Sequence, residues 1–285
     1  MDNQDYIPYQ QIAGQLKIEP GTLIWLSADL TRLAFIAKRN EGGFNAGKFI
    51  GSFIDVLGDD GTIVIPSFNF NLVNKDHFSL KRTLPITGAL ATEAMKTGLF
   101  KRTKNPLHSF LVFGRYSSDL TGLDNRSSFG NDSPFAFFHS YQCKMIILGT
   151  TIANAFTFVH YIEELNQVKY RRYKDINIFM EDEDALRAYR LYAKKPGWTM
   201  HMTGLERILL EQNIAKKHVI NGIVAFQIDL AGAFPLIQDD IQHNYARNIA
   251  RYSLQQYMKD SVKANLGKIG IRTASDKISH DPGLQ

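Results

Sequence analysis

The residues of this sequence best suited to acid–base chemistry are His160, Glu163 and Glu164. They lie in the segment 156–168, whose pattern predicts a helix, and helical positions three or four apart share one face, so either carboxylate could approach the imidazole. A carboxylate that orients an imidazole makes a general base, because it fixes the tautomer and stabilises the imidazolium. On spacing alone, a surface pair without function is favoured by about three to one. The assignment therefore needs support from other segments.

Two further segments place polar side chains where ligands could bind. His108 and Ser109 precede the apolar run 110–113, at the mouth of a predicted strand, where open α/β sheets bind ligands. A structural turn explains this segment equally well. Ser133 before Pro134 predicts a capped helix start, and although helix N-termini bind anions, capping alone explains the pair.

Several common sites are missing from the sequence. The glycines of 41–45 have neither dinucleotide-binding nor Walker spacing, and no nucleophile elbow of the hydrolase type is present. None of the eight histidines forms a His-Glu-x-x-His motif, so no metal is expected. The single cysteine, Cys143, excludes an internal disulfide and suits a reducing compartment.

The scaffold that must position these residues is predicted to be an α/β protein. Continuous apolar runs at 22–26, 62–66 and 144–148 predict strands that are buried on both faces. Helices predicted at 45–57 and 88–97 alternate with them. We therefore expect a largely parallel central sheet flanked by helices, with additions at the C-terminal end.

The second half of the chain is less regular. Segment 181–192 is rich in charged and helix-forming residues, and 221–226 resembles a strand. Segment 239–263 predicts a long amphipathic helix that could cover the core or form a homodimer contact. With no linker or repeat, we expect one domain over 1–272 and a loose polar tail over 273–285.

Composition narrows the class of protein. Hydrophobic residues make up 44% of the 285 positions, which is enough for a large core. The 33 Lys and Arg outnumber the 28 Asp and Glu, and the net charge of +5 favours an anionic ligand but is too mild to indicate a nucleic-acid partner. The sequence shows neither a secretion signal nor an apolar run long enough to span a bilayer, so we expect a cytoplasmic enzyme without a membrane partner.

Taken in order, these segments resemble the aminoglycoside 3-N-acetyltransferase family of acetyl-CoA-dependent enzymes. The matching blocks are 61–68 (GTIVIPSF), 88–94 (GALATEA), 106–109 (PLHS), 129–135 (FGNDSPF), and 147–149 (ILG) followed by 160–164 (HYIEE).

The resemblance implies acetylation of a primary amine on an amino sugar, with the family's His-x-x-Glu pair falling on His160 and Glu163. The family's His-Ser-Ser-Leu after the first strand is here 27–30 (SADL), and its His-Pro is Asn105-Pro106. In the family these positions lie near acetyl-CoA and the substrate.

The residue pattern and the family resemblance together give one hypothesis, which is direct transfer of the acetyl group from acetyl-CoA to the amine. His160, oriented by Glu163, removes the proton from the amine, and no well-placed cysteine is available for an acetyl-enzyme. Acetyl-CoA is expected to contact Asp29, Ser109 and Ser133. The substrate is expected to contact Phe68, His108, Tyr170 and Arg171.

The choice of amine depends on charge. Aminoglycosides are polycations and need an acidic cleft, whereas the basic, aromatic segment 169–174 suits the phosphates and base of a nucleotide. An exposed basic turn or a site for the CoA phosphates explains that segment about equally well. The sequence therefore favours a nucleotide-linked amino sugar for surface polysaccharide synthesis. The alternatives are an aminoglycoside, acetylated in antibiotic resistance, and a non-catalytic binding protein, against which the retained His160 and Glu163 argue.

Overall fold

The computed structural model describes residues 6–268, which form a seven-stranded central sheet with helices on both faces, and two smaller sheets. The strands are β1 Leu23–Ala28, β2 Thr62–Phe68, β3 His77–Phe78, β4 Lys101–Arg102, β5 His108–Gly114, β6 Lys144–Leu148, β7 Arg171–Met180, β8 Ala185–Lys194, β9 Trp198–Met200, β10 Ala215–Ile220, β11 Ile223–Asp229 and β12 Ala250–Tyr252. The α-helices are α1 Ile12–Gln15, α2 Thr31–Glu41, α3 Ala46–Leu57, α4 Ala89–Lys96, α5 Ser117–Gly122, α6 Pro134–Ser140, α7 Ile152–Ala155, α8 Val159–Leu165, α9 Thr203–Glu211, α10 Leu230–His243 and α11 Leu254–Lys268.

The central sheet has the order β10-β11-β6-β1-β2-β5-β4. The predicted α/β class is confirmed, and the parallel pairing is concentrated at the centre, where β1 lies between β2 and β6. The outer pairs are antiparallel. One cause is local: Asn221 and Gly222 both have positive φ, so they close the tight turn that joins β10 to β11. Another is that β5 starts at His108 opposite Phe68, so the chain re-enters the sheet at the edge where β2 ended.

Two hydrophobic cores lie on the two faces of this sheet. Along β1, Leu23 and Trp25 pack into one core while Ile24 and Leu26 pack into the other, as the alternation of side chains in a strand requires. All four residues are almost fully buried. This explains why the strand has a continuous apolar sequence rather than an alternating one.

Helix boundaries follow the expected local chemistry. The Asn45 side chain accepts a hydrogen bond from the backbone N–H of Lys48 at 2.8 Å and caps α3, which ends before Gly58 at a φ of 64°. Helix α4 follows Gly88 and matches the predicted segment closely. The segment predicted as one helix over 156–168 is helical only in α8, and the short helix α7 precedes it.

Two segments of the second half depart from their local helix propensity. Residues 181–192 are not helical: most of them form β8, which pairs along its length with β7, because the strand partner outweighs helix propensity. The long helix over 239–263 is interrupted. Helix α10 ends at His243, and the buried Asp240 carboxylate accepts hydrogen bonds from the side chains of Asn244 and Asn248, which hold the chain in a turn before β12 and α11.

The expected tail, 273–285, lies outside the described residues, and the division at 272 stays a prediction. Over residues 6–268, no helix is both long enough and apolar enough to cross a membrane.

Candidate active site

A pocket of about 520 Å³ lies at the edge where the parallel strands β1, β2 and β6 end. This is the edge at which open α/β sheets bind ligands. Its lining comes from four parts of the chain: 27–31 after β1, Ile65, Pro66, Phe68 and Phe70 around the end of β2, 86–91 at the start of α4, and Thr150, Asn154, Ala155 and Thr157 around α7.

His160 and Glu163 lie one turn apart on α8, and their expected contact is present. Nδ1 of His160 is 2.7 Å from Oε2 of Glu163. The imidazole is 18% exposed, whereas the carboxylate is fully buried. The backbone N–H of His160 donates to the carbonyl of Thr157, a residue that lines the pocket. The pair is therefore anchored beside the pocket wall, with the ring reaching solvent.

Tyr170 and Arg171 complete a buried network around Glu163. The Tyr170 hydroxyl donates to Oε1 of Glu163 at 2.7 Å, and Nε of Arg171 forms an ion pair with Oε2 at 2.5 Å. Nη2 of Arg171 lies 2.7 Å and 3.3 Å from the two ring nitrogens of His160, and Nη1 donates to the carbonyl of Tyr192. Both residues were expected to contact substrate. The structure places both in the buried network around Glu163, so a contact with substrate stays a prediction.

The network fixes the protonation states of the pair. Burial acts to raise the pKa of Glu163, but His160, Arg171 and Tyr170 together bring it below its ordinary value, so the carboxyl is an anion. Burial and the Arg171 charge lower the pKa of His160, despite the opposing effect of Glu163. Because a carboxylate cannot donate, we assign the imidazole proton to Nδ1, and Nη2 of Arg171, which can only donate, then has its acceptor at Nε2, 3.3 Å away. The neutral ring then presents the lone pair of Nε2, as a general base requires.

His108 lies in a chain of aromatic contacts between the pocket and His160. Its ring centroid is 4.8 Å from that of Phe68 and 4.6 Å from that of Phe129, which is in turn 5.3 Å from His160. Burial and the charges of His160 and Arg171 lower the pKa of His108 to about 3, so it is neutral. Phe68 lines the pocket, whereas His108 lies behind it.

The structure separates the three expected acetyl-CoA contacts. Asp29 is exposed at the pocket, where its side chain also accepts the backbone N–H of Thr31. Ser109 is buried between Ser67 and Arg102, and Ser133 is buried as the cap of α6. Their hydroxyls are enclosed and bonded within the protein, away from the pocket lining, so the contact of these two serines with acetyl-CoA stays a prediction.

Sequence reasoning missed Phe129, Thr157 and Gly88. Phe129 and Thr157 were quoted only as parts of longer segments, and nothing in their types indicated a position beside His160. Gly88 carried a weak signal, since a glycine before a helical pattern often marks a special backbone conformation. Its φ is 98°, and a Cβ there would meet nothing within 4 Å. Within residues 6–268, no group of three or more His, Cys, Asp or Glu side chains could hold a metal ion.

Comparison with known proteins defines the class. A family model described as aminoglycoside 3-N-acetyltransferase matches residues 38–239, well over half of the chain. The fold and this match make the protein an N-acetyltransferase that uses acetyl-CoA. The chain belongs to the aminoglycoside 3-N-acetyltransferase family.

Solved structures share the fold at low sequence identity. AAC-IIIb in a binary complex with CoASH is 17% identical, with a TM-score of 0.70 over 84% of this chain and 98% of that one. The apoenzyme of aminoglycoside acetyltransferase AAC(3)-IVa is 18% identical, with a TM-score of 0.67 over 86% and 92%. The YokD protein from Bacillus subtilis is 17% identical, with a TM-score of 0.66 over 82% and 98%. A search of curated protein sequences gave no match.

Proposed function

We propose that this enzyme transfers the acetyl group of acetyl-CoA to a primary amine of an aminoglycoside, with His160 as the general base. The observation that carries the proposal is the buried Glu163 carboxylate that orients a neutral, partly exposed imidazole beside the pocket. His160 accepts the amine proton at Nε2, and Glu163 stabilises the resulting imidazolium through Nδ1–H. Arg171 neutralises Glu163 and lowers the pKa of His160, so the imidazole is neutral before the amine arrives.

The pocket has features that suit acetyl-CoA. Phe68, Phe70 and Ile86 give its wall apolar surface for the pantetheine arm, and the start of α4 after Gly88 offers backbone N–H groups to an anion. Attack by the amine places negative charge on the thioester oxygen. The Thr157 hydroxyl is one donor at the wall, and its present hydrogen bond to the Ala155 carbonyl is long, at 3.4 Å. Cys143 is fully buried, and burial raises the pKa of its thiol well above its usual value, which favours direct transfer over an acetyl-cysteine intermediate.

The preference for a nucleotide-linked amino sugar rested on the net charge and on the basic, aromatic segment 169–174. Two residues of that segment, Tyr170 and Arg171, have their polar groups bonded to Glu163, His160 and Tyr192, which weakens this expectation. The family match concerns aminoglycoside acetyltransferases, so the alternative given by the sequence, acetylation in antibiotic resistance, is the better reading.

This function is tested by incubating the enzyme with acetyl-CoA and a panel of amine acceptors and measuring the release of the CoA thiol. We expect turnover with aminoglycosides and a loss of about 10²- to 10⁴-fold in kcat for His160→Ala, with an unchanged fold. His243→Ala is the matched control, because His243 forms an exposed helix pair with Asp239 at 2.9 Å. Preference for nucleotide-linked amino sugars, or normal turnover in His160→Ala, contradicts the proposal.

A further inference from the structure

Arg102, the last residue of strand β4, donates hydrogen bonds from all three nitrogens of its guanidinium group inside the protein. The residue is 7% exposed. Nε donates to the Ser109 hydroxyl at 2.9 Å, and Nη1 donates to the Thr83 carbonyl at 2.5 Å. Nη2 donates to the Ser67 carbonyl and to Oδ1 of Asn69, both at 2.7 Å. The side chain therefore joins the end of β2 to the chain that returns toward α4.

The guanidinium of Arg102 is buried among uncharged acceptors. Burial lowers the pKa of this group to about 9, and the charge of Asp182 only partly opposes this, so the group is still a cation at neutral pH. The Phe78 ring, whose centroid is 4.6 Å from the guanidinium carbon, adds a cation–π contact. A buried cation without a carboxylate partner costs folding free energy that an apolar side chain would not. A purely stabilising role therefore explains Arg102 poorly, and its effect on the shape of its surroundings becomes the better explanation.

The first segment that Arg102 holds forms part of the pocket wall. Asn69 lies between Phe68 and Phe70, both of which line the pocket. Its side-chain oxygen accepts from Arg102, and its side-chain nitrogen donates to the Leu84 carbonyl at 2.8 Å. A single amide group therefore connects the guanidinium, the wall at the end of β2 and the returning chain.

The returning chain completes this wall before α4 begins. The backbone N–H of Ile86 donates to the Phe68 carbonyl at 3.0 Å, and the Thr87 hydroxyl donates to the Pro66 carbonyl at 2.6 Å. Ile86 and Thr87 both line the pocket. The lining does not include Arg102, so an effect of this residue on a ligand must pass through the two segments that it joins.

We propose that Arg102 is a positioning residue for acetyl-CoA. It fixes the spacing between the two segments, and so between Phe68 and Ile86, so that the apolar wall fits the pantetheine arm. This inference rests on the proposed placement of acetyl-CoA in the pocket. A guanidinium suits the task because its donors lie in one plane at fixed angles and hold acceptors on both segments at once. A lysine ammonium is a point charge on a flexible chain and cannot hold them in the same geometry.

Calorimetric titration with CoA tests this role without requiring an acceptor. We expect Arg102→Lys and Arg102→Met each to weaken CoA binding by about 10-fold. The KM for acetyl-CoA should rise by a similar factor, while kcat at saturation stays within about 3-fold and its pH profile is unchanged, because the network of His160 is not altered. The matched control is Gly114→Ala, which strains the opposite end of the β2–β5 pair and should lower the stability without changing the affinity for CoA.

Unchanged CoA affinity in either folded Arg102 variant overturns the positioning role, as does equal weakening in Gly114→Ala or a rise in the acceptor KM alone. Thermal unfolding checks each variant. If Arg102→Met does not fold, Arg102→Lys, which keeps the charge, decides the outcome alone.

The placement of acetyl-CoA is tested separately by Ile86→Asp, which puts a charge on the wall at a partly exposed position. Unaltered CoA binding in this variant refutes the placement and the inference with it. Weaker binding in Ile86→Asp beside normal binding in the Arg102 variants refutes the positioning role alone. Because CoA binding does not depend on which amine is acetylated, failure to acetylate aminoglycosides would refute the proposed acceptor and leave the role of Arg102 intact.

Discussion

Replacing Glu163 by glutamine should lower both the stability and the activity. Adding Arg171→Met should restore the stability but not the activity. Glu163 is fully buried and Arg171 is 6% exposed at the side chain, so Glu163→Gln leaves a buried guanidinium without its counter-charge. Breaking a buried pair costs about 3–5 kcal/mol. Because glutamine keeps an acceptor oxygen, we expect about 3 kcal/mol, which lowers the melting temperature by about 6–12 °C in a chain of this size.

The double variant Glu163→Gln/Arg171→Met removes both charges. It still loses the hydrogen bond from Arg171 to the Tyr192 carbonyl, worth about 1 kcal/mol, so we expect it to recover to within about 1–2 kcal/mol of wild type. Activity should stay about 10²-fold low in both variants, because no anion stabilises the imidazolium. The assays are chemical denaturation and thiol release. Asp124→Asn, in an exposed pair with Arg187, is the control and should cost less than about 1 kcal/mol. Additive losses in the double variant would refute the coupling.

Two further predictions concern proton transfer and the backbone. If the neutral ring of His160 is the base, its lowered pKa should keep kcat/KM constant to below pH 6.5, and kcat/KM should then fall as the ring is protonated. Arg171→Met removes a charge that lowers this pKa, so its acid limb should move to higher pH; coincident profiles would contradict that role. Gly114→Ala should cost about 2 kcal/mol or more in urea denaturation, since φ is 110° and a Cβ would lie 2.1 Å from the Gly61 carbonyl oxygen. Gly122→Ala, which meets nothing within 4 Å, is its control, and equal losses in the two variants would count against the steric reason.

The parts of the fold that local chemistry determines could be predicted from the sequence. The capped helix α3, the apolar strands β1, β2 and β6, and the turn at Gly58 follow from short-range patterns. The hairpin β7–β8 could not be predicted, because residues 181–192 have good helix formers and the decisive contribution comes from the partner strand. Asn221-Gly222 carried a hairpin signal that was overlooked, since a two-residue turn of this type joins antiparallel strands.

The candidate site likewise has one part that the sequence predicts and one part that it does not. The contact between His160 and Glu163 follows from their spacing on one helix. The role of Arg171 does not, because the sequence cannot show whether the first residue of a strand faces solvent or a buried carboxylate eight positions earlier. Net charge is a weak guide to the substrate, because it does not say where the charges lie. Three of the lysines, Lys17, Lys144 and Lys216, line a groove near the opposite ends of the strands from the candidate site.

Strand β7 also has a consequence for how the enzyme can change. Arg171, which contacts His160, is its first residue, and the exposed turn between Met180 and Ala185 lies about 30 Å along the strand. The turn at the other end is bonded to the segment 77–82, because Asp182 accepts the backbone N–H of Leu80 and Glu181 pairs with His77 and Arg82. Changes at the turn should therefore disturb that segment before they reach the surroundings of His160.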